Sequence, residues 1–139
     1  MGGLNPEGTP EQAATERRMS GVTLDAGGLI ALDRNDRRVL VLLARARQTS
    51  AEVTVPTTAL AQVIRSPAKQ ARLSRFIRQP TTRLAALDGP DATSVGCSRT
   101  SDITHAHVVV CATRARQSIV TSEPDDIKRL DPTIPLVFV

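Results

Sequence analysis

Residues 22–32 read Val-Thr-Leu-Asp-Ala-Gly-Gly-Leu-Ile-Ala-Leu, and this stretch decides the fold. Val22 and Leu24 make one apolar face of a short strand. Asp25 and the Gly27-Gly28 pair end it, and Leu29, Ile30 and Leu32 open a helix. A strand that turns directly into a helix is half of a parallel β-α unit. Ligands of open parallel sheets bind beyond the carboxyl ends of the strands, so Asp25 stands where chemistry is expected. An acid at a helix start also serves as a cap, and at this position the two roles are equally open.

The same alternation continues down the chain. From Asp36 to Gln48, Val39, Leu40, Leu42, Leu43 and Ala46 return at helical spacing, with arginines mostly on the other side. Val53 to Val55 is β-branched and stops at Pro56, after which Thr57 or Thr58 is expected to cap a helix through Ala59, Leu60, Val63 and Ile64. Ser66-Pro67 starts another helix, with Leu73, Phe76 and Ile77 inward and Lys69, Arg72, Arg75 and Arg78 outward. Thr81 to Leu87 reads as a third strand and Asp88 to Arg99 as a Gly, Pro, Asp and Ser loop.

Thr100 or Ser101 is then expected to cap a helix running towards Arg116, with Asp102 in its first turn. Its inner face reads Ile103, His107, Val108, Cys111 and Ala115. Ser118 to Thr121 is a fourth strand, Pro124 to Leu130 a helix, and Leu136 to Val139 a last strand. The whole predicts an α/β protein with a three-layer α/β/α arrangement around a parallel sheet of about four or five strands. Met1 to about Arg18 has no apolar periodicity and reads as a disordered leader or extension, leaving 19–139 as the folded domain.

Composition narrows the function. A chain of 139 residues, 40% hydrophobic, suits one globular domain. Its 18 Lys and Arg against 14 Asp and Glu give +4 and a pI near 10.0, a balance that fits a polyanionic partner or a solvated basic surface. Aromatics are 1% of the chain, with no Trp or Tyr, which excludes a platform that stacks bases on rings. Any RNA contact must run through phosphates and metal. Cys97 and Cys111 are too few for a disulfide framework and no signal peptide opens the chain, so a cytoplasmic location is expected. No apolar stretch approaches the roughly 20 residues of a membrane span. Nucleotide-binding glycine loops and a nucleophile elbow are absent.

Carboxylates supply the remaining signal. Asp25 and Glu123 follow strands, Asp102 heads the long helix, and Glu123-Pro124-Asp125-Asp126 heads another. Converging oxygen ligands of this kind suit Mg²⁺ or Mn²⁺, and a metal-activated water can attack a phosphodiester. For Asp102, Asp125 and Asp126 taken singly, helix capping is the commoner use. His105, His107, Cys97 and Cys111 have the atom types of a zinc set but not its spacing, so a packed histidine and a buried thiol are the expected roles of His107 and Cys111.

Val22-Thr-Leu-Asp25-Ala-Gly-Gly-Leu-Ile-Ala-Leu, Ser101-Asp-Ile-Thr-His105-Ala-His107-Val and Ile119-Val-Thr121-Ser122-Glu123-Pro-Asp-Asp126, in that order, resemble the successive motifs of VapC-type PIN domains. The resemblance extends over nearly all of the chain after Met19. It implies a metal-dependent endoribonuclease toxin of a toxin–antitoxin pair, usually a homodimer, silenced by a cognate VapB-like antitoxin. It places Asp25 and Glu123, the latter in place of an Asp, at two of the family's acidic positions, and with Asp102 as a stand-in the expected catalytic set is Asp25, Asp102 and Glu123. The metal, Mg²⁺ or else Mn²⁺, would be held by these three with His105 and Asp126, and RNA by Arg72, Arg75 and Arg78. Two departures stand out. The family's second acid falls near Gln62, and its third falls on His105. Asp102, three residues earlier, is expected to make up part of the lost charge. The departures carry an alternative: a weakened PIN-like module that binds antitoxin or RNA without cutting.

Overall fold

In the computed structural model, which describes residues 21–139, the Val22 segment is the central strand of a five-stranded, all-parallel sheet. The strands are β1 (Val22–Leu24), β2 (Val53–Pro56), β3 (Thr82–Ala85), β4 (Ser118–Thr121) and β5 (Leu136–Phe138), in the order β3-β2-β1-β4-β5. The expected leader 1–18 and the domain start at residue 19 lie outside the described residues.

Seven α-helices connect the strands: α1 (Ala26–Asp33), α2 (Arg37–Gln48), α3 (Thr57–Val63), α4 (Ala71–Phe76), α5 (Gly89–Cys97), α6 (Ile103–Ala115) and α7 (Pro124–Leu130). Parallel strands require crossovers, which are right-handed almost without exception. That rule puts α1–α4 on one face of the sheet and α5–α7 on the other. The sheet is thereby covered twice, which is why β2 is buried along its whole length and why Leu24, Val55, Ile119 and Val120 are sealed from water. Leu29 and Leu73 fill the first helical layer, Val108 and Ile127 the second. None of the described helices is long and apolar enough to cross a membrane.

The structure corrects several expectations. The supposed loop Asp88 to Arg99 is largely helix α5: Asp88 caps it by accepting from the Asp91 amide at 2.9 Å, and Pro90 occupies its first turn. The cap of α6 is Asp102, not Thr100 or Ser101, because its Oδ1 accepts from the His105 amide at 3.0 Å. Ile103 is left exposed, Ala115 is only half-buried, and Ala106, His107, Val108, Cys111 and Ala112 form the inner face. Neither Thr57 nor Thr58 caps α3, whose N-cap is Pro56 without a side-chain bond.

The helix expected from Ser66-Pro67 is divided into a 3₁₀ turn, Pro67–Lys69, and α4. At the break the Gln70 amide oxygen accepts from the backbone N–H groups of Arg65 and Ser66, and its nitrogen donates to the Val63 carbonyl. Those bonds tie Gln70 back to the end of α3 and satisfy backbone groups of the 63–66 connection.

Candidate functional site

The chain leaves β1 towards β2 and returns through β4 on the opposite side, so the carboxyl ends of β1 and β4 flank the switch in winding direction. Asp25 lies in that position and is 1% exposed. Its N–H donates to the Val120 carbonyl at 3.2 Å, which ties it to β4. Its Oδ1 accepts from the Gly28 amide at 2.9 Å and caps α1. The Thr121 hydroxyl lies close enough to favour the charged form of its carboxyl, while Thr121 Oγ1 accepts from the Glu123 amide at 2.9 Å. Burial pushes the Asp25 pKa above the ordinary carboxylate value. The Thr121 hydroxyl, the Gly28 amide and the neighbouring His105 oppose that rise.

The glycine pair makes the junction close. A Cβ on Gly27 would lie 2.1 Å from Ser122 Oγ and 2.9 Å from Ser122 N, and one on Gly28 would lie 2.8 Å from the Val120 carbonyl oxygen. Only glycine lets the first turn of α1 press against the β4–α7 connection, and this brings Asp25 and Glu123 to one rim.

His105 projects into the same rim from the first turn of α6. Its Nδ1 is 2.5 Å from Asp102 Oδ2 and its Nε2 is 3.3 Å from Glu123 Oε2. Both oxygens of Asp102 therefore meet His105, one through the backbone and one through the ring. His105, Glu123 and Asp126 can each offer a ligand atom within 4.8 Å of the others. The Glu123 pKa is raised, first by a hydrogen bond with Asp126 and then by burial, with His105 opposing. Two carboxyl groups so close favour sharing a proton unless a cation joins them.

The remaining candidates lie apart from this cluster. Gln62 is exposed on α3 and Asp125 is exposed on α7. Arg72, Arg75 and Arg78 are exposed on α4 and its end. Arg72 and Arg75 line an open groove of about 430 Å³ whose apolar walls include Leu32, Leu40, Leu43 and Phe76. Leu32 is seven residues beyond Asp25, so the groove begins about 10 Å from the rim along α1.

A second group was hidden by reading the α5 segment as a loop. Asp91, His107 and Cys111 are all buried and can place one ligand atom each within 4.8 Å of the others. The only sequence signals were Asp88 and Pro90, which mark a helix start and so put Asp91 in its first turn. Cys97 is exposed and lies outside this group. No protein-family model matches the chain, and no curated protein matches it.

Proposed function

We propose that this chain is a metal-dependent endoribonuclease of the VapC-like, PIN-domain type, a toxin that hydrolyses RNA phosphodiester bonds in the cytoplasm and is held silent by a VapB-like antitoxin. The observation that carries the reading is the burial of Asp25 at the switch point of the sheet, beside a rim where His105 and two carboxylates converge. A buried carboxylate whose pKa is pushed up is costly to keep, and such groups concentrate at functional sites.

His105, Glu123 and Asp126 bring donor atoms close enough to share one divalent cation, and Asp25 lies at the edge of that group and would have to join it. Asp25 and Glu123 would hold it, with His105 as a nitrogen ligand and Asp126 beside Glu123. Asp102 acts as a positioning residue that fixes the imidazole, the usual second partner of a metal-bound histidine. An imidazole among carboxylates favours Mn²⁺ over Mg²⁺. When bound, the cation supplies a water nucleophile and charge for the phosphate oxygens. The protein's own part is to hold the ligands, to keep the Asp25 carboxyl dry, and to hold the RNA backbone with surface arginines. A homodimer follows from the same resemblance.

The second reading, a PIN-like module that binds antitoxin or RNA without cutting, is favoured by the neutral, exposed Gln62 where the family has an acid. Incubation of the full chain with single-stranded RNA separates the two. Cleavage that requires Mn²⁺ or Mg²⁺ and disappears in Asp25→Asn supports the enzyme. RNA or antitoxin retention without cleavage supports the module, and cleavage unchanged in Asp25→Asn refutes this site.

A further inference from the structure

The buried Asp91, His107 and Cys111 group belongs to a different part of the fold from the rim. His107 and Cys111 are four residues apart on α6 and so lie on one face, one turn from each other. Asp91 faces them from α5, the helix packed against α6. The three are 2%, 0% and 3% exposed in the order Asp91, His107, Cys111.

Hydrogen bonding leaves a place for a ligand. The His107 Nδ1 is 2.7 Å from the Thr58 hydroxyl oxygen. Its Nε2 is buried with no hydrogen-bond partner and stands 3.7 Å from Asp91 Oδ2, too far for a hydrogen bond. Asp91 Oδ1 is taken by the Arg114 guanidinium. One carboxylate oxygen, one imidazole nitrogen and one thiol therefore face each other in the interior, and the His107 Nε2 makes no hydrogen bond of normal geometry although Asp91 and the Ala86 backbone lie near the ring. In native interiors such an orphan is rare and calls for an occupant.

One measured edge suits an ion, the separations to Cys111 being within 4.8 Å, and three protein atoms leave the fourth position to a water. Around a tetrahedral zinc ion with bonds of about 2.0–2.3 Å, neighbouring ligand atoms lie roughly 3.3–3.8 Å apart. The His107–Asp91 separation of 3.7 Å already lies in that range. The Thr58 hydroxyl would accept from Nδ1–H and leave Nε2 as the ligand, the arrangement typical of metal-bound histidine. We infer that Asp91, His107 and Cys111 form a second metal site, independent of the rim, for a borderline-soft divalent cation such as Zn²⁺, and that the ion clasps α5 to α6. The Cys111 thiol binds as the thiolate and its proton goes to solvent. Asp91 and Cys111 then neutralise the ion, and Arg114 stays on the free carboxylate oxygen. Burial pushes the metal-free thiol up to about 11, so without an ion this cysteine is a protonated, unreactive core residue.

The test uses Co²⁺ as a probe, because only a thiolate ligand gives the intense sulfur-to-cobalt charge-transfer absorption and the rim contains no thiol. Full-length Cys97→Ala protein, reduced and stripped with a chelator, receives one equivalent of Co²⁺, both folded and during refolding from urea. The charge-transfer band is expected in this background, displaced by Zn²⁺ and preserved when Asp25→Asn is added. Asp91→Asn is expected to weaken Co²⁺ binding at least tenfold. Absence of the band in the folded Cys97→Ala protein overturns the inference and leaves a packed histidine and a buried thiol. Persistence of the band after Cys111→Ala overturns it equally. Preservation of the band in Asp25→Asn separates this site from the ribonuclease reading, so either can fail alone.

Discussion

Asp25→Asn should make the metal-free protein more stable at neutral pH, because the wild-type side chain is sealed in the fold and burial is the largest influence on its ionisation. Asparagine keeps the α1 cap, since its Oδ1 can still accept from the Gly28 amide. It disturbs one contact: the Thr121 hydroxyl, whose Oγ1 accepts from the Glu123 amide, favours the charged Asp25 carboxyl and would have to reorient beside an amide nitrogen. Losing that contact costs about 1 kcal/mol, which offsets part of the gain from removing a buried charge. The net effect is a stabilisation of about 1 kcal/mol at pH 7, typical of relieving a functional conflict, or about 4 °C in Tm for a domain of this size.

The pH dependence gives the sign. A carboxyl whose folded pKa lies above its ordinary value of 3.8 binds more protons when folded than when unfolded in the interval between the two. The wild type therefore loses stability relative to the variant as pH rises through that interval, and the two converge below it. Urea melts of both proteins from pH 3 to 8, in chelator, measure this. A variant less stable at pH 7, by a margin that persists at low pH, would refute the reasoning.

Asp102→Asn keeps the α6 cap but removes the charged partner of His105, so metal affinity at the rim should fall about 10–100-fold in calorimetry with little change in Tm. His105→Asp replaces the nitrogen ligand by a carboxylate and should shift the preference from Mn²⁺ towards Mg²⁺, read as the ratio of the two affinities. Gly28→Ala places a Cβ 2.8 Å from the Val120 carbonyl oxygen and should cost about 1–3 kcal/mol in urea unfolding while weakening rim metal binding, because α1 carries Asp25.

The sheet was legible because each strand is a short apolar or β-branched run followed by a helix signal. Val22 to Leu24, Val53 to Val55 and Ser118 to Thr121 all lie within the observed strands. What escaped was local chemistry that competes with composition. The glycines, proline and serines of 88–99 read as a loop, yet the Asp88 cap and Pro90 start α5. On α6 the expected His107, Val108 and Cys111 are buried, while Ile103, at the first helical position after the Asp102 cap, is exposed and Ala106 and Ala112 complete the inner face. The acids after β1 and β4 could be located from strand ends alone. The bridge from Asp102 through His105 to Glu123 joins residues 18 positions apart from 105 to 123 and exists only once α6 packs beside β4. Asp91 was invisible for the same reason as α5.

The most direct test of the rim site is calorimetric titration of Mn²⁺ and Mg²⁺ into the full chain and into Asp25→Asn, both carrying Cys111→Ala so that a thiolate site adds no heat. Binding in the parent, tighter for Mn²⁺ and lost in Asp25→Asn, is the expected result. Equal binding by the two proteins, or none by the parent, would contradict a metal centre built on Asp25.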